Sequence, residues 1–346
     1  MVRAKVATAV AAVLSPVVFG LTVPALLPAG TDPGRVPGSS GRAPALMRTT
    51  APSPRAAKLW VNPSTPAALA VPQTQLARPA DAALLRKIAS KPHATWLGEW
   101  LTPAAVQTVV ARRTATAATT GAVAVFVLYA IPARDCGSYS AGGQGSPAAY
   151  KAWVDGVSRG LAGRKAIVVL EPDSLPLMDC LSAANQKVRL GLLSSAVDSL
   201  RRNPGVSIYL DAGNAHWKTP EVIAGRLRAA GIDRVRGFSV NAANFDTTAS
   251  EVAYAKKISI ELGGAVPFVV DTSRNGKGRW TGPESWCNPP GRALGAAPTT
   301  NHPDPLVDAL LWIKTPGLSD GTCKGGPPAG RWWQPYGLML AGNASW

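Results

Sequence analysis

From residue 120 onward, short and nearly continuous apolar runs alternate with longer stretches that are apolar on one side only. The runs cover residues 123–129, 166–170, 206–210, 237–240 and 266–270, and the amphipathic stretches cover 148–161, 183–200, 220–230 and 250–262. Strands that are apolar on both parities and separated by helices are parallel strands buried on both faces. The pattern therefore predicts a helix-covered α/β fold, which either a barrel or a doubly wound sheet satisfies.

The residues that end each run point to chemistry. Arg134-Asp135 follows the first run, Glu171-Pro172-Asp173 the second, Asp211 the third, Asn241 the fourth, and Asp271 with Arg274 the fifth. Asp135, Asp173 and Asp211 are spaced 38 residues apart, about one βα unit each. Parallel strands in a barrel deliver their carboxyl ends to one mouth. One Asp at such a place is commonly a helix cap, but four in register, with Arg and Asn beside them, describe a site.

Arg3 and Lys5 precede an apolar stretch over residues 6–27, broken by Ser15, Pro16 and Pro24. Residues 1–28 are read as an export signal, either cleaved or kept as a membrane anchor. Residues 29–57, rich in Pro, Gly, Ser and Arg without apolar period, are expected to be a flexible linker. A single catalytic domain, expected as a monomer, then spans 58–346 and begins at the apolar Leu59-Trp60-Val61. Export implies a secreted or wall-associated protein in an oxidising compartment. There Cys136, Cys180, Cys287 and Cys323, which contain no CxxC pair, read as two disulfides. Three pairings are possible, and chain order suggests Cys136–Cys180 and Cys287–Cys323.

The net charge of +16 raises the question of nucleic acid. The basic residues are scattered, however, several fall before residue 56, and no recognition helix or finger pattern accompanies them. A solvated basic surface that favours anionic wall polymers is the expectation, with no nucleic-acid partner. The three histidines, His93, His216 and His302, form no ligand pattern, and there is no nucleophile elbow, phosphate loop or dinucleotide fingerprint. No metal or cofactor is expected. Carboxylates and aromatics remain: eleven Trp against five Phe, with Trp96, Trp217, Trp280 and Trp286 near loop signals. Trp rings stack on the apolar faces of sugars, and paired carboxylates at one mouth cleave glycosidic bonds.

Six motifs carry a resemblance to a known family. They are Tyr129-Ala-Ile-Pro-Ala-Arg-Asp-Cys136, Leu170-Glu-Pro-Asp-Ser-Leu175, Tyr209-Leu-Asp-Ala-Gly213, Val270-Asp-Thr-Ser-Arg-Asn-Gly276, Trp286-Cys-Asn-Pro-Pro-Gly-Arg292, and Lys314 with Ser319-Asp320-Gly321. In this order they resemble glycoside hydrolase family 6. The resemblance implies a distorted, incomplete, seven-stranded β/α barrel and inverting hydrolysis of β-1,4-glucosidic bonds in cellulose or related glucans. By position, Asp173 matches the general acid, Asp135 the aspartate that raises its pKa, and Asp320 the carboxylate at the base position. Tyr129 corresponds to the tyrosine beneath the distorted sugar and Ser140 to the serine that holds the water. Asp211, Lys314 and Trp217 match substrate-binding positions, Trp217 on the leaving side, and Trp96 and Trp286 resemble stacking positions on the other side. Asn241 is expected among the substrate-binding groups. The family pairs its cysteines as chain order suggests here.

Two positions depart from the family pattern: Leu318 stands where members usually carry Glu, and Asn214 replaces a common His. Both fall in binding subsites, so neither removes a proton-transfer group. The segment from 286 to 320 is short, which implies an open cleft and internal cleavage. The competing expectations are an exo-acting cellobiohydrolase and a non-catalytic glycan-binding wall protein. The intact Asp135, Asp173 and Asp320 argue against the latter.

Overall fold

The computed structural model describes residues 51–346. Eight strands build the sheet: β1 (Lys58–Leu59), β2 (Thr95–Gly98), β3 (Ala122–Tyr129), β4 (Ala166–Leu170), β5 (Val206–Asp211), β6 (Gly237–Val240), β7 (Phe268–Asp271) and β8 (Val307–Leu311). Every ladder is parallel, in the order β3-β4-β5-β6-β7-β8. β1 and β2 share the remaining edge of β3: Lys58 lies beside Ala122 at its start, and Gly98 beside Tyr129 at its end. The ring thus has seven strand positions, as the family resemblance implies. Among the described residues, no ladder joins β8 to the β1/β2 edge. That gap is crossed instead by single bonds from Ala94 N–H to the Trp312 carbonyl (2.9 Å) and from the Trp96 indole to the Ile313 carbonyl (2.8 Å).

Eight α-helices cover the outside: α1 (Pro66–Gln75), α2 (Pro79–Ala89), α3 (Pro103–Thr119), α4 (Pro147–Leu161), α5 (Ala183–Leu200), α6 (Pro220–Ala230), α7 (Thr248–Glu261) and α8 (Gln334–Gly342). Their starts are written locally. Thr65, Thr102, Ser146, Ser182 and Thr247 each accept a backbone N–H three residues on, and Pro follows directly in α1, α3 and α4. A hydroxyl at the N-cap and a Pro at the first helical position meet the two needs of a helix start.

The period-two alternation of a strand sorts the core into two layers. Ala124, Phe126 and Leu128 of β3 join the helix-facing cluster, whereas Val123, Val125, Val127 and Tyr129 face inward with Ile167, Val169, Tyr209 and Val269. The same parity carries Asp211 and Asp271 inward at the carboxyl ends of β5 and β7. Hydrophobic burial of a side chain such as Val169 or Ile167 contributes about 1.5–3 kcal/mol, so the inner layer fixes the register that aims those polar ends at the mouth.

The pattern of runs misses β1, β2 and β8, which are short or lie where the chain is punctuated by Pro and Asn. The linker expected over residues 29–57 also overlaps the fold. The Arg55 guanidinium bonds the carbonyls of His302, Asp304 and Val307, Ser207 Oγ donates to the Pro52 carbonyl, and Ala56 N–H reaches the Thr300 carbonyl. Composition suggested a tether here because these contacts are non-local. The export signal and the linker before residue 51 lie outside the described residues. Among those described, no helix is long and apolar enough to cross a membrane. Disulfides join Cys136 to Cys180 and Cys287 to Cys323.

Candidate active site

Backbone conformation marks the mouth. Ala133, Asp135 and Cys136 after β3, Glu171 and Asp173 after β4, and Asn241 and Ala243 after β6 all have φ between 48° and 70°. For non-glycine residues this left-handed region costs of order 1–3 kcal/mol each and persists only where surrounding contacts impose it. Those contacts are visible. The buried Glu171 carboxylate accepts the N–H groups of Ala130 (3.0 Å) and Ile131 (3.1 Å), tying the end of β3 to that of β4. Burial pushes the Glu171 carboxyl up to about 7. Asp173 N–H in turn donates to Asp211 Oδ2 at 3.0 Å.

Asp173 sits half-buried just after β4, with the Tyr129 hydroxyl donating to its Oδ2 at 3.4 Å. Burial, then the charges of Asp211 and Asp135, push its carboxyl up to about 8; Tyr129 and Lys314 pull the other way. Like charges and desolvation both disfavour the ionised form, so this group holds a proton at neutral pH. Asp211 is raised to about 7 by burial, against the N–H groups of Asp173 and Gly213 and the Ser239 hydroxyl. Asp135 is also raised by burial, opposed by the Ser140 N–H (2.8 Å to Oδ2) and by Arg134.

Asp320 stands apart. Arg274 Nη1 bonds its Oδ2 at 2.8 Å, and Lys314 Nζ bonds its Oδ1 at 2.9 Å. Asn288 N–H adds a third contact at 3.1 Å to Oδ2. Burial alone would raise this carboxyl, yet Arg274 and Lys314 outweigh it and hold it below the usual range. The result is a fixed negative charge and a weak proton acceptor.

The aromatic residues divide. Trp96 packs edge-on to Tyr129 at 5.0 Å, with the Lys314 ammonium 5.7 Å from its ring. Trp286 is exposed beside Tyr139, and Trp217 is half-buried against Gly213. Trp280 lies under the Lys324 ammonium at 5.0 Å. Asn241 does not reach the cleft. It is fully buried, its Nδ2 donating to the carbonyls of Asp246 (3.0 Å) and Asp271 (2.9 Å) while its Oδ1 accepts Asp246 N–H. Both ends of the amide are spent on bracing β6 and β7, which corrects the substrate-binding expectation.

Sequence reading passed over the bracing groups. Arg134 bonds the Glu99 carboxylate, the Tyr129 carbonyl and the Ser140 carbonyl, and its guanidinium lies 4.3 Å from the Tyr129 ring. Tyr139 covers Gly321 so closely that a β-carbon there would sit 2.6 Å from the ring. The signal for Arg134 was its place beside Asp135; nothing local announced Glu99 or Tyr139. Between the β1/β2 edge and the segment after β8 lies a cavity of about 580 Å³, lined on the cleft side by Trp96, Tyr129, Ser140 and Lys314.

The described residues hold no group of acids, histidines or cysteines fit for a metal ion. The arrangement offers a carboxyl whose protonated form is favoured, nearby carboxylates and the aromatic rings of Trp96 and Tyr129.

Comparison with known proteins agrees with this chemistry. Endoglucanase A of Cellulomonas fimi is 46% identical over 273 residues, which is 79% of this chain and 59% of that protein. Endoglucanase 1 of Streptomyces sp. is 42% identical, over 75% of this chain and 72% of its own. Among solved structures, the endoglucanase Cel6 of Mycobacterium tuberculosis, in complex with a methyl-cellobiosyl-thio-cellobioside, superposes with a TM-score of 0.81 at 44% identity. That match covers 84% of this chain and 99% of the other. The catalytic core of the cellobiohydrolase Cel6A of Chaetomium thermophilum gives 0.70 at 29%, over 83% and 97%. The model of the glycosyl hydrolases family 6 matches residues 54–344, and this chain belongs to that family.

Proposed function

We propose that this protein is an endo-acting, inverting hydrolase of β-1,4-glucosidic bonds in cellulose or a related β-glucan. The observation that carries the reading is the setting of Asp173 just after β4, between the Tyr129 hydroxyl and the Asp211 carboxylate, where burial and neighbouring acids favour the protonated carboxyl. In this mechanism Asp173 gives its proton to the departing glycosidic oxygen. Water attacks the anomeric carbon from the opposite face, and its proton passes to solvent or a neighbouring carboxylate. Asp135 and Ser140 would hold that water; the Ser140 N–H donates to Asp135 Oδ2 at 2.8 Å. Asp320, fastened by Arg274 and Lys314, acts as a fixed charge beside the forming oxocarbenium. Tyr129 lies beneath the reacting sugar. Trp217 stacks on the leaving side, and Trp96 and Trp286 on the other.

Internal cleavage is supported by the relatives named endoglucanases, which at 42–46% are nearer than the cellobiohydrolase core at 29%. An exported, monomeric protein acting outside the cell completes the proposal, with residues 1–28 as the export signal. NMR of the anomeric protons during early hydrolysis of a cello-oligosaccharide tests the reaction. Fresh α-anomer from the wild type and none from Asp173→Ala is the expected result. Fresh β-anomer would mean retention and sink the mechanism, and binding without turnover would leave a glycan-binding protein.

A further inference from the structure

The 580 Å³ cavity in the gap of the ring extends past Trp96 and Tyr129 to Arg113, Asn62 and Ser64. Its wall contains three cationic side chains, Arg113, Arg134 and Lys314, and no Asp or Glu. Two of the cations are neutralised: Arg134 by Glu99 and Lys314 by Asp320. Arg113 is not. Among the described residues it has no carboxylate partner, its Nε and Nη1 have no hydrogen-bond acceptor, and its guanidinium lies 6.0 Å from the Trp60 ring. A largely enclosed guanidinium without an anion is an uncompensated charge, an arrangement that becomes favourable when an anion arrives.

The rest of the wall fits a sugar that carries the anion. Asn62 Oδ1 is taken by Ser64 N–H, and its Nδ2 has no partner among the described residues. His93 is held neutral, pushed down to about 4 by burial. Leu318, Pro328 and Ala329 add apolar surface to the lining. No acid on this wall would repel a carboxylate.

We propose that this cavity is a side pocket for a carboxylate-bearing substituent on the glucan, with Arg113 as its counter-charge. The inference rests on the glucan reading above and adds a substrate preference to it. Substituted chains would enter the same cleft and place their acidic group in the gap between β8 and the β1/β2 edge.

The test is calorimetric binding in an Asp173→Ala background, which prevents turnover. The probes are plain cellotetraose and its four regioisomers with a single C6 hydroxymethyl oxidised to carboxylate. At least one oxidised isomer should bind about tenfold more tightly than the plain sugar, the scale of one charge-assisted hydrogen bond. Arg113→Gln should bring that ratio to about one, while Arg112→Gln, the same charge change on the exposed neighbour, should leave it intact. Leu318→Glu, which places an acid in the wall, should turn the preference into rejection. Equal affinity for plain and oxidised sugars overturns the pocket and leaves the glucan reading standing. So does a preference that survives Arg113→Gln or disappears equally with Arg112→Gln. Binding of none of the five sugars overturns both.

Discussion

Two aspartates of one mouth are held in opposite states by what surrounds them. Asp173 is half-buried beside Asp211 and Asp135, with the Tyr129 hydroxyl and the Lys314 charge as partial relief, and its carboxyl is pushed up to about 8. Asp320 is more enclosed, yet Arg274 and Lys314 clamp it from both sides and keep it ionised. Burial acts in the same direction on both. At Asp173 the neighbouring carboxylates add to burial, whereas at Asp320 the cations outweigh it and reverse the sign. The same residue type is thereby equipped for the two roles proposed above, proton donor and fixed anion.

The largest expected effect comes from removing the donor. Asp173→Ala should lower cleavage of unactivated glucan roughly 10²–10⁴-fold while calorimetric affinity for a cello-oligosaccharide is retained. A wild-type rate on that substrate would exclude Asp173 as the acid and dissolve the contrast. Breaking the other side acts on stability as well as rate. Arg274→Met leaves Asp320 with Lys314 and the Asn288 N–H, and removing one partner of a buried ion pair costs about 3–5 kcal/mol, readable in urea denaturation. An unchanged midpoint would mean that Asp320 does not depend on the clamp.

The two carboxyls also give opposite stability slopes. For Asp173 the folded pKa lies above the unfolded value near 3.9, so the folded state binds the extra proton and stability falls as pH rises from about 4 to about 8. Asp320, with its folded pKa depressed, contributes stability above the unfolded value that is lost as pH falls through the folded one. Asp173→Asn should accordingly stabilise the protein at pH 8 relative to pH 5, by on the order of 1 kcal/mol or more. Thermal melts at the two pH values measure it, and a gain equal at both contradicts the raised pKa.

The smallest effect is the sharpest probe of the donor's surroundings. Tyr129→Phe removes a hydrogen bond that favours the ionised form of Asp173. The alkaline limb of the pH–rate profile, expected as activity falls through about pH 8, should move upward. The rate itself should drop by a few-fold from the lost contact, about 0.5–1.5 kcal/mol. A limb that stays in place assigns it to another group.

What could be read in advance follows from range. Strands β3 to β7 and their covering helices were legible because apolar periodicity is local and strong, and the acids at the strand ends could be counted against it. Strand β8 and the pair β1 and β2 were not, since polar residues or prolines interrupt or flank them, no amphipathic stretch sets them off, and they owe their conformation to partners far along the chain. The ordered residues 52–57 were hidden for the same reason: Arg55 is fixed by carbonyls some 250 positions away.

The chain by itself determined the α/β order, the cysteine pairing suggested by its sequence, and the family of six motifs that brings Asp135, Asp173 and Asp211 to one mouth. Tertiary structure decided which polar groups face that mouth and in what charge state. Asn241 stands at a strand end like the acids, but its amide is consumed between β6 and β7. Asp320 shares a motif with Lys314, but only the arrival of Arg274 from a separate segment completes the clamp. Arg113 carries no motif at all, and its unmatched charge appears only when α3 is laid against the open edge of the ring. Electrostatic state depends on distances between residues remote in sequence, and those distances exist only after folding.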